Sequence, residues 1–139
     1  MAYEAPIQSM SFVSTASALL QYRLVILTSG GGIKHSTGLS TGVAAIRPIG
    51  VVQESVSAAG RIAAVMLSGV SKVAASTKAI KTGQYLRQTT GAASTASNLG
   101  GTVMAATNAS AYYTIGQALS SCAAAAAGNI RYVTVALKL

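Results

Sequence analysis

The amino-acid sequence predicts an all-β fold, built as a small single-domain β-barrel or β-sandwich. Short segments rich in β-branched and aromatic residues recur at spacings of about 8 to 12 residues, and glycines separate them. No segment shows sustained helical periodicity. The 139 residues suffice for one domain whose core needs neither disulfides nor metal.

The strands can be placed from these segments in chain order. Residues 22–28 form a β-branched run that ends at three glycines, which is typical of a strand entering a tight turn. Pro48 lies inside the apolar run 43–53 and favours an edge strand or a bulge there. The remaining strands are predicted at residues 61–67, with a break and a continuation at 69–73, and at 84–87, 112–116 and 130–137.

Two segments fit this pattern less well. Residues 88–111 are an uncharged stretch of mainly Ser, Thr, Ala and Gly, predicted to be a long exposed loop with a short strand at 102–106. Residues 118–127 are rich in alanine, which favours helix, but the run is short and ends at Gly128. We therefore expect a helical turn between two strands in that segment.

The N-terminal segment differs from the rest of the chain. Residues 1–20 are predicted to be an extended arm, and residues 21–139 the β-rich domain. The arm has few charges and could add a strand to a neighbour or to a larger assembly. The alternative is an ordinary first strand folded onto its own domain. The candidate binding residues of the arm are Tyr3, Pro6, Ile7, Met10 and Phe12.

Catalysis is not expected, because the ionisable residues are too few. The acidic residues are Glu4 and Glu54, and there is a single histidine, His35, and a single cysteine, Cys122. Paired-carboxylate chemistry and a Ser-His-acid triad need acids that this set scarcely provides, and zinc or calcium sites need more ligands. We predict no enzyme activity, metal, cofactor or small-molecule substrate. An enzyme would have to depend on Cys122 or His35.

The formal net charge of +8 predicts an acidic partner. The basic residues are scattered and form no basic helical face, which disfavours nucleic acid. An acidic protein surface is an equally good partner, with Arg23 and Arg47 as candidate contacts. The sequence contains no run of about 18 apolar residues, so a membrane span is not expected. The N-terminus lacks a basic leader with an apolar core, so synthesis in a cytoplasm is expected.

The sequence also contains an internal repeat of two similar segments. Ile49-Gly50 is followed by Ala58-Ala59-Gly60-Arg61-Ile62-Ala63-Ala64-Val65, and Ile115-Gly116 is followed by Ala126-Ala127-Gly128-Asn129-Ile130-Arg131-Tyr132-Val133. Each copy indicates a strand, an alanine-rich connection, and a glycine turn that starts another strand. Pseudo-symmetry is predicted, although Ala and Gly are abundant enough to produce a chance match.

These motifs resemble those of small bacteriophage capsid decoration proteins, also called cement or head-stabilising proteins. The matching segments cover most of residues 20 to 137. They are the basic strand Tyr22-Arg23-Leu24-Val25, Pro48-Ile49-Gly50-Val51, the glycine-flanked strand 60–69, Gly83-Gln84-Tyr85-Leu86, and Ile115-Gly116-Gln117-Ala118-Leu119 with the alanine-rich link to residues 128–135.

The resemblance implies a β-tulip-like fold and a structural role. Such proteins are often trimers at threefold or quasi-threefold positions, where they hold the major capsid protein against internal DNA pressure. The expected partners are the major capsid protein and further copies of this chain, and the expected location is the outside of the virion, after synthesis in the host cytoplasm. Another virion subunit, such as a shell, fibre-base or tail-tube protein, is the alternative, followed by a basic nucleic-acid-binding module.

Overall fold

Nine β-strands form the regular structure of the described residues, which contain no helix. The computed structural model describes residues 8–16, 18–36, 47–89, 100–106, 114–126 and 129–138. The predicted all-β class is therefore confirmed. The strands are β1 (Gln8–Val13), β2 (Leu24–Leu27), β3 (Ile33–His35), β4 (Gly50–Val52), β5 (Ile62–Ala75), β6 (Tyr85–Gln88), β7 (Val103–Ala105), β8 (Gly116–Ala118) and β9 (Arg131–Leu137).

Strand β5 belongs to two rings of strands at once. Its first half, residues 62–68, pairs with β1 and β4. Its second half, residues 69–75, pairs with β9 and, at Ala75, with β7. The halves meet at Gly69, whose φ of 114° is disfavoured for residues with a side chain. Pairing passes directly from Ser68 to Gly69, so the strand enters the second ring without interruption.

The first barrel consists of β1 to β4 and the first half of β5, in the order β1-β5-β4-β2-β3. A parallel contact between Ser14 and Ile33 brings the end of β1 back to β3. The second barrel consists of the second half of β5 and strands β6 to β9, in the order β5-β7-β6-β8-β9. Its β9 returns to β5 along the pairs from Gly69–Leu137 to Ala75–Arg131.

The two barrels are copies of one arrangement. Leu19 and Val56 exchange two backbone hydrogen bonds of 2.8 Å, and Ile80 and Cys122 exchange two of 2.9 Å at the same place in the second barrel. Each barrel also has one parallel contact, at Ser14–Ile33 and at Ala75–Val103. Following the ladders gives the equivalent positions Val13 and Ala74, Leu19 and Ile80, Val25 and Leu86, Ile33 and Val103, Gly50 and Gly116, Val56 and Cys122, and Val65 and Val135.

The internal sequence repeat therefore corresponds to a structural repeat, with one change in the register between the two copies. Ile49-Gly50 and Ile115-Gly116 occupy equivalent places, because Gly50 pairs with Val25 and Gly116 with Leu86. In the closing strands, however, Val65 corresponds to Val135 and not to Val133. A shift of two positions keeps every side chain on the same face of a strand, which is why the sequence pattern alone accommodates either register.

Each barrel has its own apolar core. The first core contains Leu19, Val25, Ile33, Val52, Val56, Ala63 and Val65. The second core contains Val73, Ala75, Ile80, Leu86, Val103, Ile115, Ala118, Val133, Val135 and Leu137, together with Leu24, Val51 and Met66 from the first barrel. One row of first-barrel side chains thus packs with the second core, which joins the two barrels.

Three strand predictions need correction. Pro48 precedes β4, which lies between β2 and β5 and is not an edge strand. The break expected after residue 67 is absent, because Gly69 continues β5. β8 begins at Gly116, where the predicted strand 112–116 ends, and residues 112 and 113 lie outside the described residues.

The helical turn expected at residues 118–127 is wrong for the described part of that segment. Ala118 ends β8 and is buried, and Cys122 is held to Ile80 by two backbone hydrogen bonds. Tertiary pairing overrides the helix propensity of alanine here. The short strand predicted at 102–106 is confirmed as β7. Of the long loop predicted at 88–111, Gln88 and Thr89 are buried, and residues 90–99 and 107–111 lie outside the described residues.

The described part of the predicted arm is built into the first barrel. Residues 8–13 form β1 and pair with β5, and Leu19 is fully buried in the first core. This corresponds to the alternative of an ordinary first strand, so a domain boundary at residue 20 does not describe these residues. Residues 1–7 lie outside the described residues.

Equivalent glycines test the repeat. A Cβ on Gly50 would meet the carbonyl oxygen of Met66, and one on Gly116 would meet that of Ala136. We expect Gly50→Ala and Gly116→Ala each to lower the free energy of unfolding by about 2 kcal/mol or more, because backbone atoms must move. Gly30→Ala is the control, since nothing lies within 4 Å of its Cβ position. Urea unfolding measures all three, and equal stability would contradict this packing.

Candidate binding surface

The single acidic residue in the described part of the chain forms a hydrogen bond within the fold. The Glu54 carboxylate accepts a hydrogen bond from the Ala64 N–H at 3.0 Å. The Ser120 hydroxyl accepts from the Thr134 N–H at 2.9 Å at the equivalent place in the second barrel. The neutral Ser120 hydroxyl thus accepts the same backbone hydrogen bond as the Glu54 carboxylate. This indicates that Glu54 holds β5 in place. Among the described residues, no three His, Cys, Asp or Glu side chains come together as a metal site.

Cys122 and His35 lie in different barrels. Cys122 is partly buried, packs against the second core and is held to Ile80 through its backbone. His35 lies on β3, where its Nε2 accepts a hydrogen bond from the Leu20 N–H at 2.8 Å. The two side chains therefore do not form a Cys-His pair.

His35 is held in its neutral form. Burial lowers the pKa of His35, and the positive charge of Arg23 lowers it further. The bond from Leu20 needs a free lone pair on Nε2, which only the neutral imidazole provides. Protonation would therefore cost both this bond and the energy of placing charge beside Arg23.

Exposed charge is almost entirely positive. Eight Lys and Arg side chains are exposed, whereas Glu54 is the single acidic residue in the described part of the chain. The exposed cations in the first barrel are Lys34, Arg47 and Arg61, and those in the second barrel and its loops are Lys72, Lys78, Lys81, Arg131 and Lys138. The described surface thus offers a broad positive field to an acidic partner.

Arg23, predicted as a surface contact, is buried with 1% of its side chain exposed. Its Nη1 donates to the Gly100 carbonyl at 2.8 Å, and its Nη2 has no hydrogen-bond partner within the described ranges. Burial lowers the pKa of Arg23. The side chain lies where the connection between β6 and β7 meets the first barrel, so Arg23 joins the barrels and is not available to a partner.

The other predicted contacts have different positions. Arg47 is exposed in the segment before β4, Met10 is exposed on β1, and Phe12 on β1 is partly buried against the first core. Tyr3, Pro6 and Ile7 lie outside the described residues. The structure therefore supports Arg47 and Met10 as accessible side chains.

Sequence reasoning missed several exposed apolar side chains. Ile62, Tyr85 and Leu119 are all largely exposed although each lies in or beside a strand. In a single sequence they look like core residues, because apolar residues in strands are usually buried. Aligning the two halves in the correct register would have given a signal for Leu119, since its equivalent in the first barrel is the polar residue Gln53.

Comparison with protein-family profiles, with curated proteins and with solved structures finds no match to this chain. Within the described ranges there is also no helix that is long and apolar enough to span a membrane.

The neutral His35 has a consequence for stability. Its folded pKa lies below the unfolded value, so the unfolded chain binds the proton more readily. Stability is then full above the unfolded pKa of about 6.5 and falls as the pH drops through it. We expect the Tm to fall between about pH 7.5 and pH 5, measured by calorimetry, and His35→Gln to flatten this dependence. An unchanged slope in the variant would contradict the assignment.

Burial of the Arg23 guanidinium carries a desolvation cost, which opposes the stabilisation from its hydrogen bond to Gly100. Arg23→Met keeps the volume and removes a poorly satisfied charge, so we expect the free energy of unfolding to stay equal or rise by about 1 kcal/mol. Arg23→Ala should lower it by about 2 kcal/mol, because the packing of the aliphatic stem is lost. Urea unfolding at neutral pH compares the two. Strong destabilisation by Arg23→Met would show that the charge itself stabilises the fold.

Proposed function

We propose that the chain is a non-catalytic structural protein that binds the outer surface of a bacteriophage capsid and stabilises the shell. The observation that carries this proposal is the nearly uniform positive charge of the described surface. The sequence motifs shared with decoration proteins support the choice of a capsid as the partner. The hydrogen bonds made by the Glu54 and His35 side chains, and the packing of Cys122 against the second core, support a structural role for these residues.

The distribution of charge favours an extended protein surface. The cations lie on both barrels, whereas a groove for single-stranded nucleic acid concentrates charge along one track with aromatic platforms. Arg61 and Arg131 occupy equivalent positions at the start of the closing strands of the two barrels, Arg61 directly before β5 and Arg131 as the first residue of β9. One chain can therefore present the same basic contact twice, which suits a shell with a repeated acidic subunit.

A homotrimer at a threefold or quasi-threefold position belongs to the same proposal, as does a location on the outside of the virion. Three copies would multiply the repeated basic contacts and hold several capsid subunits at once. Charge complementarity of this kind fixes orientation and association rate more than it fixes affinity. The contact should accordingly be sensitive to salt.

Cosedimentation with mature, undecorated phage heads tests the proposal. We expect saturable binding at a fixed ratio to the shell protein, weakened by high salt. Arg61→Glu with Arg131→Glu should raise the Kd about tenfold or more, because both equivalent contacts are reversed. Arg47→Glu should act in the same direction.

Matched variants separate charge from structure. Arg61→Lys with Arg131→Lys, and Arg47→Lys, keep the charge and should bind nearly as the parent does. Arg23→Met removes a buried charge and should leave binding unchanged. Absence of binding to heads would contradict the proposal. Equal, salt-sensitive affinity for a random DNA duplex without heads would favour the nucleic-acid-binding alternative.

A further inference from the structure

Within the chain, the first barrel covers one end of the second. Leu24, Val51 and Met66 form a cross-strand row on the outer side of the first barrel, and all three are buried in the second core. Beside this row, Gln53 Nε2 donates to Ser71 Oγ at 3.1 Å. The Ala74 N–H also donates to the Tyr22 carbonyl at 2.8 Å. The contact therefore joins the outer face of one barrel to the end of the next.

The second barrel has the same outer face, but no described residue covers this face. Tyr85, Gln117 and Ala136 form the equivalent cross-strand row. Tyr85 is 52% exposed, Gln117 is exposed and Ala136 is partly exposed. Leu119 takes the place of Gln53 next to the row and is 47% exposed.

The first barrel has the same end, and this end is also left open by the described part of the chain. Met10 takes the place of the buried Ser71 and is 55% exposed. Ile62 is 66% exposed and takes the place of Tyr132, which is 47% exposed. Val13, at the position of Ala74, is also exposed. The core residues near this end are also less buried than their equivalents in the second barrel. Phe12, Ile49 and Leu67 are partly buried, whereas their equivalents Val73, Ile115 and Leu137 are buried.

The two uncovered surfaces match each other. Inside the chain the contact uses the polar pair Gln53 and Ser71, and the equivalent pair is Leu119 and Met10, which are both apolar and exposed. A polar pair is thus replaced by an apolar pair on both sides together. Solvent exposure of both residues is unfavourable in an isolated chain, and it is relieved if they meet.

A pair of glycines shows the same difference. Gly101 has a φ of 73° and lies against the first barrel, where a Cβ would be 2.6 Å from the Leu24 carbonyl oxygen. Its equivalent, Gly31, has nearly the same φ of 79°, but nothing lies within 4 Å of its Cβ position. The turn at Gly31 in the first barrel therefore has nearly the same backbone conformation as the turn at Gly101, but no described residue lies against it.

We propose that a second copy of this chain covers these surfaces. The outer face of the second barrel, around Tyr85 and Leu119, docks on the open end of the first barrel, around Met10 and Ile62, of the next chain. This repeats between chains the contact that already joins the barrels within one chain. The interface is head-to-tail, so it closes into a ring or extends as a filament. It does not depend on the proposed capsid role.

Charge provides a way to separate the two proposals. Each copy has a formal net charge of +8, so copies repel one another at low salt. Screening should strengthen association between copies, whereas it should weaken binding to an acidic capsid surface. Either property can therefore fail without the other.

Mixing two blocked variants tests the head-to-tail contact. Leu119→Glu blocks the outer face and Met10→Glu blocks the open end, and both residues are exposed, so the fold should tolerate them. By light scattering at about 100 μM in high salt, the parent should form oligomers, and each variant alone should be a monomer, with association weakened about tenfold or more. An equimolar mixture should give a dimer that grows no further, because one intact surface of each kind remains.

Further variants guard against local misfolding. Tyr85→Glu and Ile62→Glu should reproduce the two blocks at other positions of the same surfaces. Leu20→Lys is the control, because Leu20 is exposed outside both surfaces and its equivalent in the second barrel is Lys81. A monomeric parent under these conditions, normal assembly of either blocked variant, or a mixture that stays monomeric would overturn the proposal.

Discussion

The continuity of strand β5 is the constraint on which the rest of the structure depends. Its first half closes the first barrel against β1 and β4, and its second half closes the second barrel against β9. Gly69 permits the backbone to turn from one ring into the other at a φ of 114°. Because one strand serves both barrels, their relative position is determined by covalent geometry as well as by packing. The row Leu24, Val51 and Met66 then fills the space between them.

Duplication makes the differences between the halves informative. Where both barrels need a residue for closure, equivalent positions keep the same property, as Gly50 and Gly116 do beside a neighbouring carbonyl. Where only one barrel has a neighbour, the properties differ, as at Gln53 and Leu119. The exposed apolar side chains Met10 and Leu119 are the observation that supports the proposed contact between chains. Burial distinguishes Arg23, which lies between the barrels, from the exposed cations.

Local patterns predicted the fold class, and long-range packing decided what they could not. β-Branched runs marked β2 and β9 correctly, because strand formation there follows the period of the side chains. The alanine-rich segment after β8 was assigned the wrong structure, since pairing of Cys122 with Ile80 is invisible in a local window. Arg23 looked like a surface cation for the same reason, and its burial depends on the contact between barrels. The internal repeat is visible in the sequence, but a shift of two positions in the closing strand conceals which residues of the two copies are equivalent.

The central claim is that the contact between the barrels is repeated between chains, and crosslinking tests it most directly. In a Cys122→Ala background, Met10→Cys and Leu119→Cys in one chain should react with a short bifunctional maleimide to give a ladder of covalent oligomers. The reason is that the equivalent side chains Gln53 and Ser71 lie 3.1 Å apart within the chain. Each single-cysteine chain should form no covalent oligomer, because the head-to-tail contact does not bring two copies of the same position together. Dimers from a single-cysteine chain, or no ladder from the double variant, would contradict the head-to-tail arrangement.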